Sequence, residues 1–297
     1  MFRVMEAMYD TSPPVVESSL GNYVAYYSSL SHFEWDTTTG QRRPITRREL
    51  VISLQQFFSY LMAYSLLLSI VMHFDFQPFG RSVPLESFSF GWHLLDPVHL
   101  ANMYVLALLT FFFIALAFHA PSISENLKGF ATQPVFHNPL WTSRSPREFW
   151  GRNWNLTIHR SLQQGAYRPA RKYFSRPVAT LLTFVASGIV HEYNWTVTFY
   201  NRHVINESGD CISDVPCYKP YPFKLIVFFT WCGMTVLLQE VVAPWFSFTK
   251  CWPTPVLCTA MIVALGLPVV HWFSGDWVVG GNFSGIVTGM FHIRKLS

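Results

Sequence analysis

Apolar residues crowd into five stretches along the chain, with polar residues gathered between them. The stretches are Val51–His73, Asn102–Phe118, Val178–Tyr193, Pro222–Ala243 and Pro255–Phe273. Each is long enough, or nearly so, to cross about 30 Å of hydrocarbon as a helix. The second and third are the shortest. A Gly-rich apolar stretch over 278–291 fits a short sixth span, a re-entrant piece or a buried loop equally well. The pattern therefore predicts an all-α, polytopic transmembrane helical protein, with about five to six spans plus interfacial helices. Residues 1–48 are polar and are interrupted by Ser12-Pro13-Pro14 and Thr37-Thr38-Thr39-Gly40. They predict a cytosolic N-terminal segment with short helices, and 49–297 a single transmembrane domain.

Charge placement orients these spans. Arg42, Arg43, Arg47 and Arg48 precede the first, and nine Lys and Arg residues lie between the second and third. Arg81 alone among Lys and Arg lies between the first and second. Positive residues favour the cytosolic side, so the N-terminus and the 119–177 loop are expected there. The 74–101 and 194–221 loops then face the lumen or outside. The sequon Asn206-Glu207-Ser208, with Cys211 and Cys217 beside it, suits an oxidising compartment on that side. A second sequon, Asn155-Leu156-Thr157, falls on the cytosolic side and is expected to stay unused. Cys232 and Cys258 lie within spans as small core residues. Met1 to Asp10 has no apolar core followed by a cleavage site, so no secretory signal peptide is expected.

Composition strengthens the membrane reading. Hydrophobic residues make up 51% and charged residues 13% of the chain, against about 25% charged in a soluble domain. Mean hydropathy is +0.24. Aromatic residues reach 17%, which suits many membrane boundaries. The net charge of +4 comes from basic residues beside spans and does not indicate nucleic-acid binding.

Candidate chemistry lies in two places. Arg147 to Gln164 is predicted to be one helix, because Ser145-Pro146 supplies a cap and a first-turn proline. Asn155 and His159 then share a face, with Trp150 and Trp154 paired one position earlier. Arg152, Arg160 and Arg168 add positive charge, so the segment suits the cytosolic interface. An anchor on the membrane surface has the same pattern. The second place is Gly188-Ile189-Val190-His191-Glu192-Tyr193. His191 lies about 20 Å from the cytosolic end of its predicted helix at 1.5 Å per residue. Ala186, Ser187 and Gly188 permit close helix packing or a cavity wall beside it. A His there suits proton removal from a hydroxyl, and Glu192 could orient a partner or bind an Arg of another helix. A His that merely hydrogen-bonds a neighbouring helix has the same pattern. His73 and His119 end their apolar stretches, His93 and His99 fall in the loop between spans, and His271 is a backup within a span. No spacing matches a zinc site, a phosphate loop or a serine-hydrolase elbow.

At these residues the chain resembles the membrane-bound O-acyltransferase (MBOAT) superfamily, and within it the wax synthases. Asn138-Pro139-Leu140, Ser145, Glu148-Phe149-Trp150-Gly151-Arg152-Asn153-Trp154-Asn155 and Tyr167-Arg168-Pro169 look like the wax-synthase signature. Gly188 through Tyr193 looks like the superfamily's His-Glu-Tyr element. Asn155-Leu156-Thr157-Ile158-His159 is closer to the diacylglycerol and sterol acyltransferase branch. The resemblance is sharp over about 127–195 and implies further spans upstream, with Met1 to Asp36 as a loop that follows them.

The resemblance implies an acyl-CoA-dependent O-acyltransferase that esterifies a long-chain fatty alcohol to a wax ester. His191 would be the general base, and Asn155 would contact the reacting carbonyl or position the acyl donor. His159, Glu192, Trp154, Trp150 and Arg152 would support them or bind substrate. The basic 144–176 loop would attract the CoA phosphates. Acyl-CoA is the implied co-substrate, with no bound cofactor and no metal. The implied partners are acyl-CoA, a fatty alcohol or other lipid alcohol, and membrane lipids. The endoplasmic reticulum is the implied compartment. A diacylglycerol or sterol acyltransferase, a non-catalytic truncated relative and a multispan transporter are the alternatives. A transporter should show inverted repeats, and the chain has no internal repeat.

Overall fold

A computed structural model describes residues 6–9, 11–36, 38–137, 139–199, 218–242, 262, 264–281 and 283. The described residues are helical, with isolated β-bridges and no strand. The longer helices are α1 (Leu20–Ser28), α2 (Arg47–Met72), α3 (Pro97–Leu127), α4 (Leu156–Leu162), α5 (Arg176–Thr198), α6 (Lys224–Val242) and α7 (Val270–Val279). Among the described residues, α2, α3 and Lys224–Val241 of α6 are long and apolar enough to cross a membrane. This is the all-helical membrane architecture expected.

Helix boundaries differ from the apolar stretches because capping groups, not hydropathy, end a helix. Before α2, Thr46 and Glu49 form a capping box. The Glu49 backbone N–H donates to Thr46 Oγ1 at 3.3 Å, and the Thr46 N–H to Glu49 Oε2 at 2.9 Å. Asp96 Oδ1 caps α3 by accepting from the Val98 and His99 N–H groups, and Pro97 fills the first position. α3 thus starts five residues before its apolar stretch and continues through Pro121 to Leu127. Two histidine expectations change with it. His99 is inside α3 and fully buried, and His119 is inside α3 rather than at its end. His119 packs between Tyr60 and Phe136, with ring centroids 5.3 and 6.3 Å away. α5 likewise overruns its apolar stretch at both ends.

Phe58, Met62, Leu66 and Ile70 of α2 recur every fourth residue, so they line one face, and all are exposed. An apolar face that the protein leaves uncovered is what lipid contact requires.

The chain forms two compact units. One gathers the described residues of 1–63 and 112–183, the other those of 64–111, 184–250 and 260–297. In the first, the N-terminal segment is built in. Phe33 bridges Thr132 and Pro44 bridges Phe130, while Arg42 lies 3.8 Å over the Phe130 ring. Arg43 joins Glu34 and Glu49 at 2.6 and 2.9 Å. Tyr26 Oη lies 2.7 Å from Glu6 Oε2 and 2.9 Å from Gln164 Oε1.

The second unit holds a buried ion pair. Lys224 Nζ and Asp276 Oδ1 are 2.8 Å apart, with 0% and 1% of their side chains exposed. Tyr218 donates to the same carboxylate oxygen, and Lys224 also donates to the Glu86 carbonyl. The stretch 255–273 lies partly outside the described residues. Its described end passes Phe273 without a break, as α7. Of 278–291, Val278 and Val279 belong to α7, and 282 and 284–291 lie outside the described residues, as do Asn206, Cys211, Cys217 and Cys258. Cys232 is buried in α6 as expected.

Candidate active site

The helix predicted over Arg147–Gln164 is broken in the structure. Ser145 caps as expected, its Oγ accepting the Glu148 N–H at 3.1 Å. Only Pro146–Glu148 is α-helical before a π-turn over Phe149–Asn153. Trp154 is then extended, and Asn155 is left-handed at φ 33° before α4 begins. The break has two causes that periodicity does not register. Residues 135–137 make backbone bonds to both sides of it. The Leu156 N–H donates to the Val135 carbonyl at 2.7 Å, and the His137 N–H to the Asn153 carbonyl at 3.1 Å. Asn also tolerates the left-handed region better than most residues.

Asn155 is therefore the N-cap of α4. Its Oδ1 accepts the Ile158 N–H at 3.3 Å, and its carbonyl accepts the His159 N–H at 2.9 Å. Asn155 is 8% exposed. His159 lies in the first turn and a half of α4, beside Gly151, where an added Cβ would come 3.9 Å from its ring. Burial, and then the charge of Arg160, push its imidazole below the usual value. Trp150 and Trp154 do pair, with centroids 5.9 Å apart, and Phe149 stacks on Trp154 at 5.2 Å. Buried Asn153 donates to Ser143 Oγ at 2.9 Å, fixing the turn from inside.

Arg152 within this turn and Arg144 before it are exposed. Other cations of the loop serve the fold. Arg168 donates to the Thr11 carbonyl and Lys172 to the Tyr9 carbonyl, and both hold the N-terminal segment. Arg160 donates to the Pro134 carbonyl.

His191 belongs to the second unit, so Asn155 and His191 are each described within their own unit. His191 is partly buried on α5. Its Nδ1 lies 2.7 Å from the Ser187 carbonyl oxygen. A carbonyl only accepts, so Nδ1 carries the hydrogen and Nε2 the lone pair. The ring stacks on Phe229 of α6 at 4.4 Å and meets Phe273 of α7 at 5.5 Å. A neutral imidazole between aromatic faces, with its base nitrogen defined, is a group able to accept a proton.

The small-residue stretch works as expected at Gly188, where an added Cβ would lie 2.6 Å from Ile226 Cα. Glu192 meets backbone rather than an Arg. Its carboxylate accepts the Phe223 N–H at 2.7 Å and the Leu225 N–H at 3.2 Å. Tyr193 points outward, 67% exposed. The backup, His271, is fully buried with its ring 5.1 Å from that of His99. It lies two residues before Phe273, on the face of α7 turned away from His191. Sequence reasoning missed the Lys224–Asp276 pair and the Glu192 contact. A weak signal for the latter existed, since Tyr221-Pro222-Phe223 offers α6 no capping side chain. No cluster of three metal-ligating side chains occurs among the described residues.

Residues 132–206 match the Membrane bound O-acyl transferase family, a stretch that contains both Asn155 and His191. The chain is also similar to curated plant proteins. It is 26% identical over 159 residues to the Probable long-chain-alcohol O-fatty-acyltransferase 7 of Arabidopsis thaliana, covering 50% of this chain and 41% of that protein. It is 36% identical over 78 residues to the Long-chain-alcohol O-fatty-acyltransferase of Simmondsia chinensis, covering 24% of this chain and 22% of that protein. Over 67 residues it is 37% identical to the Acyl-CoA--sterol O-acyltransferase 1 of Arabidopsis thaliana, covering 20% and 19%. The matched stretches thus span less than half the length of these relatives.

Proposed function

From the membrane-bound O-acyltransferase signature that this chain carries over 132–206, we propose that it transfers an acyl group from acyl-CoA to the hydroxyl of a long-chain alcohol. The observation that carries the reading is the 2.7 Å contact of His191 Nδ1 with the Ser187 carbonyl within that stretch, which leaves Nε2 as the base nitrogen of the neutral ring. With Nδ1–H committed to the Ser187 carbonyl, Nε2 is the atom that removes the alcohol proton. The alkoxide oxygen attacks the thioester carbonyl, and the tetrahedral intermediate expels the CoA thiolate. The imidazolium returns its proton to the sulfur. A thiol of pKa about 8.5 is a good leaving group, so one base suffices.

Asn155 is the proposed contact to the acyl donor. Ile158 N–H occupies its Oδ1, so the contact falls to the Nδ2–H donors, which suit a developing oxyanion. Arg152 and Arg144 are the proposed cations for the CoA phosphates, since Arg160, Arg168 and Lys172 already donate to carbonyls. Trp150, Trp154 and His159 shape the turn around Asn155. The lipid alcohol and ester would travel through the membrane, in the endoplasmic reticulum on this reading.

Similarity to named long-chain-alcohol acyltransferases supports a fatty alcohol as acceptor. The stretch shared with a sterol acyltransferase supports a second reading with a sterol acceptor. The test supplies labelled acyl-CoA, with fatty alcohol, sterol or diacylglycerol in separate reactions, to membranes from cells lacking neutral-lipid acyltransferases. Wax ester formed by the chain and lost in His191→Ala at equal expression is the expected result. Sterol ester alone would transfer the reading to the second acceptor. Ester unchanged in the variant would overturn His191 as base, and no ester from any acceptor would overturn the activity.

A further inference from the structure

Helix α6 begins without a cap of its own. Tyr221, Pro222 and Phe223 include none of the short polar side chains that usually cap a helix, and Phe223 sits at φ 66°, where a bulky residue is strained. The missing acceptor comes from α5. Glu192 takes the Phe223 and Leu225 N–H groups on its two carboxylate oxygens, a charge-assisted contact at the positive end of a 19-residue helix.

The same two helices meet at two further points. Gly188 lies against the backbone of Ile226. One residue before Glu192, the ring of His191 stacks on Phe229, about a turn beyond Leu225 on α6, with an interplanar angle of 30°. Phe229 follows Leu225 by four residues and so stands on the same face of α6. The His191 ring is held by the Ser187 carbonyl at Nδ1 and by Phe229 stacked against its face, with Phe273 of α7 and Trp195 of α5 beside it. The Ser187 contact is internal to α5. The Phe229 contact depends on where α6 starts.

We infer that Glu192 is a positioning residue for His191: by fixing the first turn of α6 it holds Phe229 against the imidazole and so sets the direction of Nε2. The inference rests on the reading of His191 as base. A displacement of about 1 Å in a reacting group can cost about 10²-fold in rate. Losing the carboxylate should thus lower kcat while leaving acyl-CoA binding in place.

The experiment uses the full chain in membranes, with Glu192→Ala, Glu192→Gln and Phe229→Leu. It reads two quantities: kcat and KM for acyl-CoA, and the rate at which diethyl pyrocarbonate modifies His191, followed by peptide mass spectrometry. In Glu192→Ala, kcat should fall at least ~10-fold with KM within ~2-fold, because the lost interaction concerns orientation. Glu192→Gln keeps an acceptor oxygen and should recover most of the loss. Phe229→Leu should follow Glu192→Ala, and both should expose the ring to faster modification. An unchanged modification rate in Glu192→Ala and Phe229→Leu would overturn the inference, as would Glu192→Gln failing as fully as Glu192→Ala. If Glu192→Ala does not fold, Phe229→Leu and Glu192→Gln decide the matter. The modification assay needs no turnover. A wild-type chain that makes no ester but shows the expected contrast would overturn the acyltransferase reading and support the positioning.

Discussion

Asn155 has a structural duty that can be separated from a chemical one. Its Oδ1 caps α4, and its backbone is left-handed. Aspartate performs both tasks as well as asparagine, but it offers no N–H donor. Asn155→Asp should therefore leave the melting point in detergent nearly unchanged. If Nδ2 contacts the reacting carbonyl, acyl transfer should fall by about 10²-fold or more. Equal activity in the Asp variant would reduce Asn155 to a cap. His159 makes a separate prediction through pH. Burial, with Arg160 adding to it, places its folded-state pKa below the unfolded value of 6.5. The unfolded chain then binds the extra proton first as pH falls. The stabilising contribution is complete above about 6.5 and is lost progressively below it. Thermal unfolding in detergent should show acid destabilisation between pH 7 and 5 that is smaller in His159→Gln.

At the scale of elements, the close approach of α5 and α6 depends on one missing side chain. A Cβ at Gly188 would come 2.6 Å from Ile226 Cα, backbone that cannot swing aside. Gly188→Ala should destabilise the protein by about 1–3 kcal/mol through overpacking. Unaltered melting of the purified variant would mean that the helices separate at no cost. Element boundaries show where local pattern stops being informative. The apolar cores of α2, α3, α5 and α6 were legible because long, nearly uncharged apolar runs leave little alternative to a buried or membrane helix. Their ends were not, since Asp96 caps α3 well outside its apolar stretch. The Trp154–Asn155 break was also invisible. Its cause is pairing with residues 135–137, a contact to another segment that helical periodicity does not encode.

At the scale of the whole molecule, a fully buried Lys and Asp lie in the unit that holds α6, a helix long and apolar enough to cross a membrane. Lys224 and Asp276 satisfy each other across 52 residues of chain, with Tyr218 and the Glu86 carbonyl completing the set. Asp276→Asn strands the ammonium and should cost about 3–5 kcal/mol, read as a loss of folded protein on detergent extraction. Lys224→Met with Asp276→Leu removes both charges and should recover much of it. Recovery no better than the single variant would argue that the pair does more than neutralise itself. The sequence by itself determined the helical membrane character, the clustering of basic residues beside the apolar stretches, and the two motifs with Asn155 and His191. Those follow from composition, run length and local spacing, which are properties of neighbouring residues. Tertiary structure alone decided that Glu192 caps α6, that Lys224 meets Asp276, and that residues 135–137 break the helix at Trp154–Asn155. Each of these depends on a partner distant in sequence or on the conformation that brings the groups together, and no pattern of adjacent side chains encodes that.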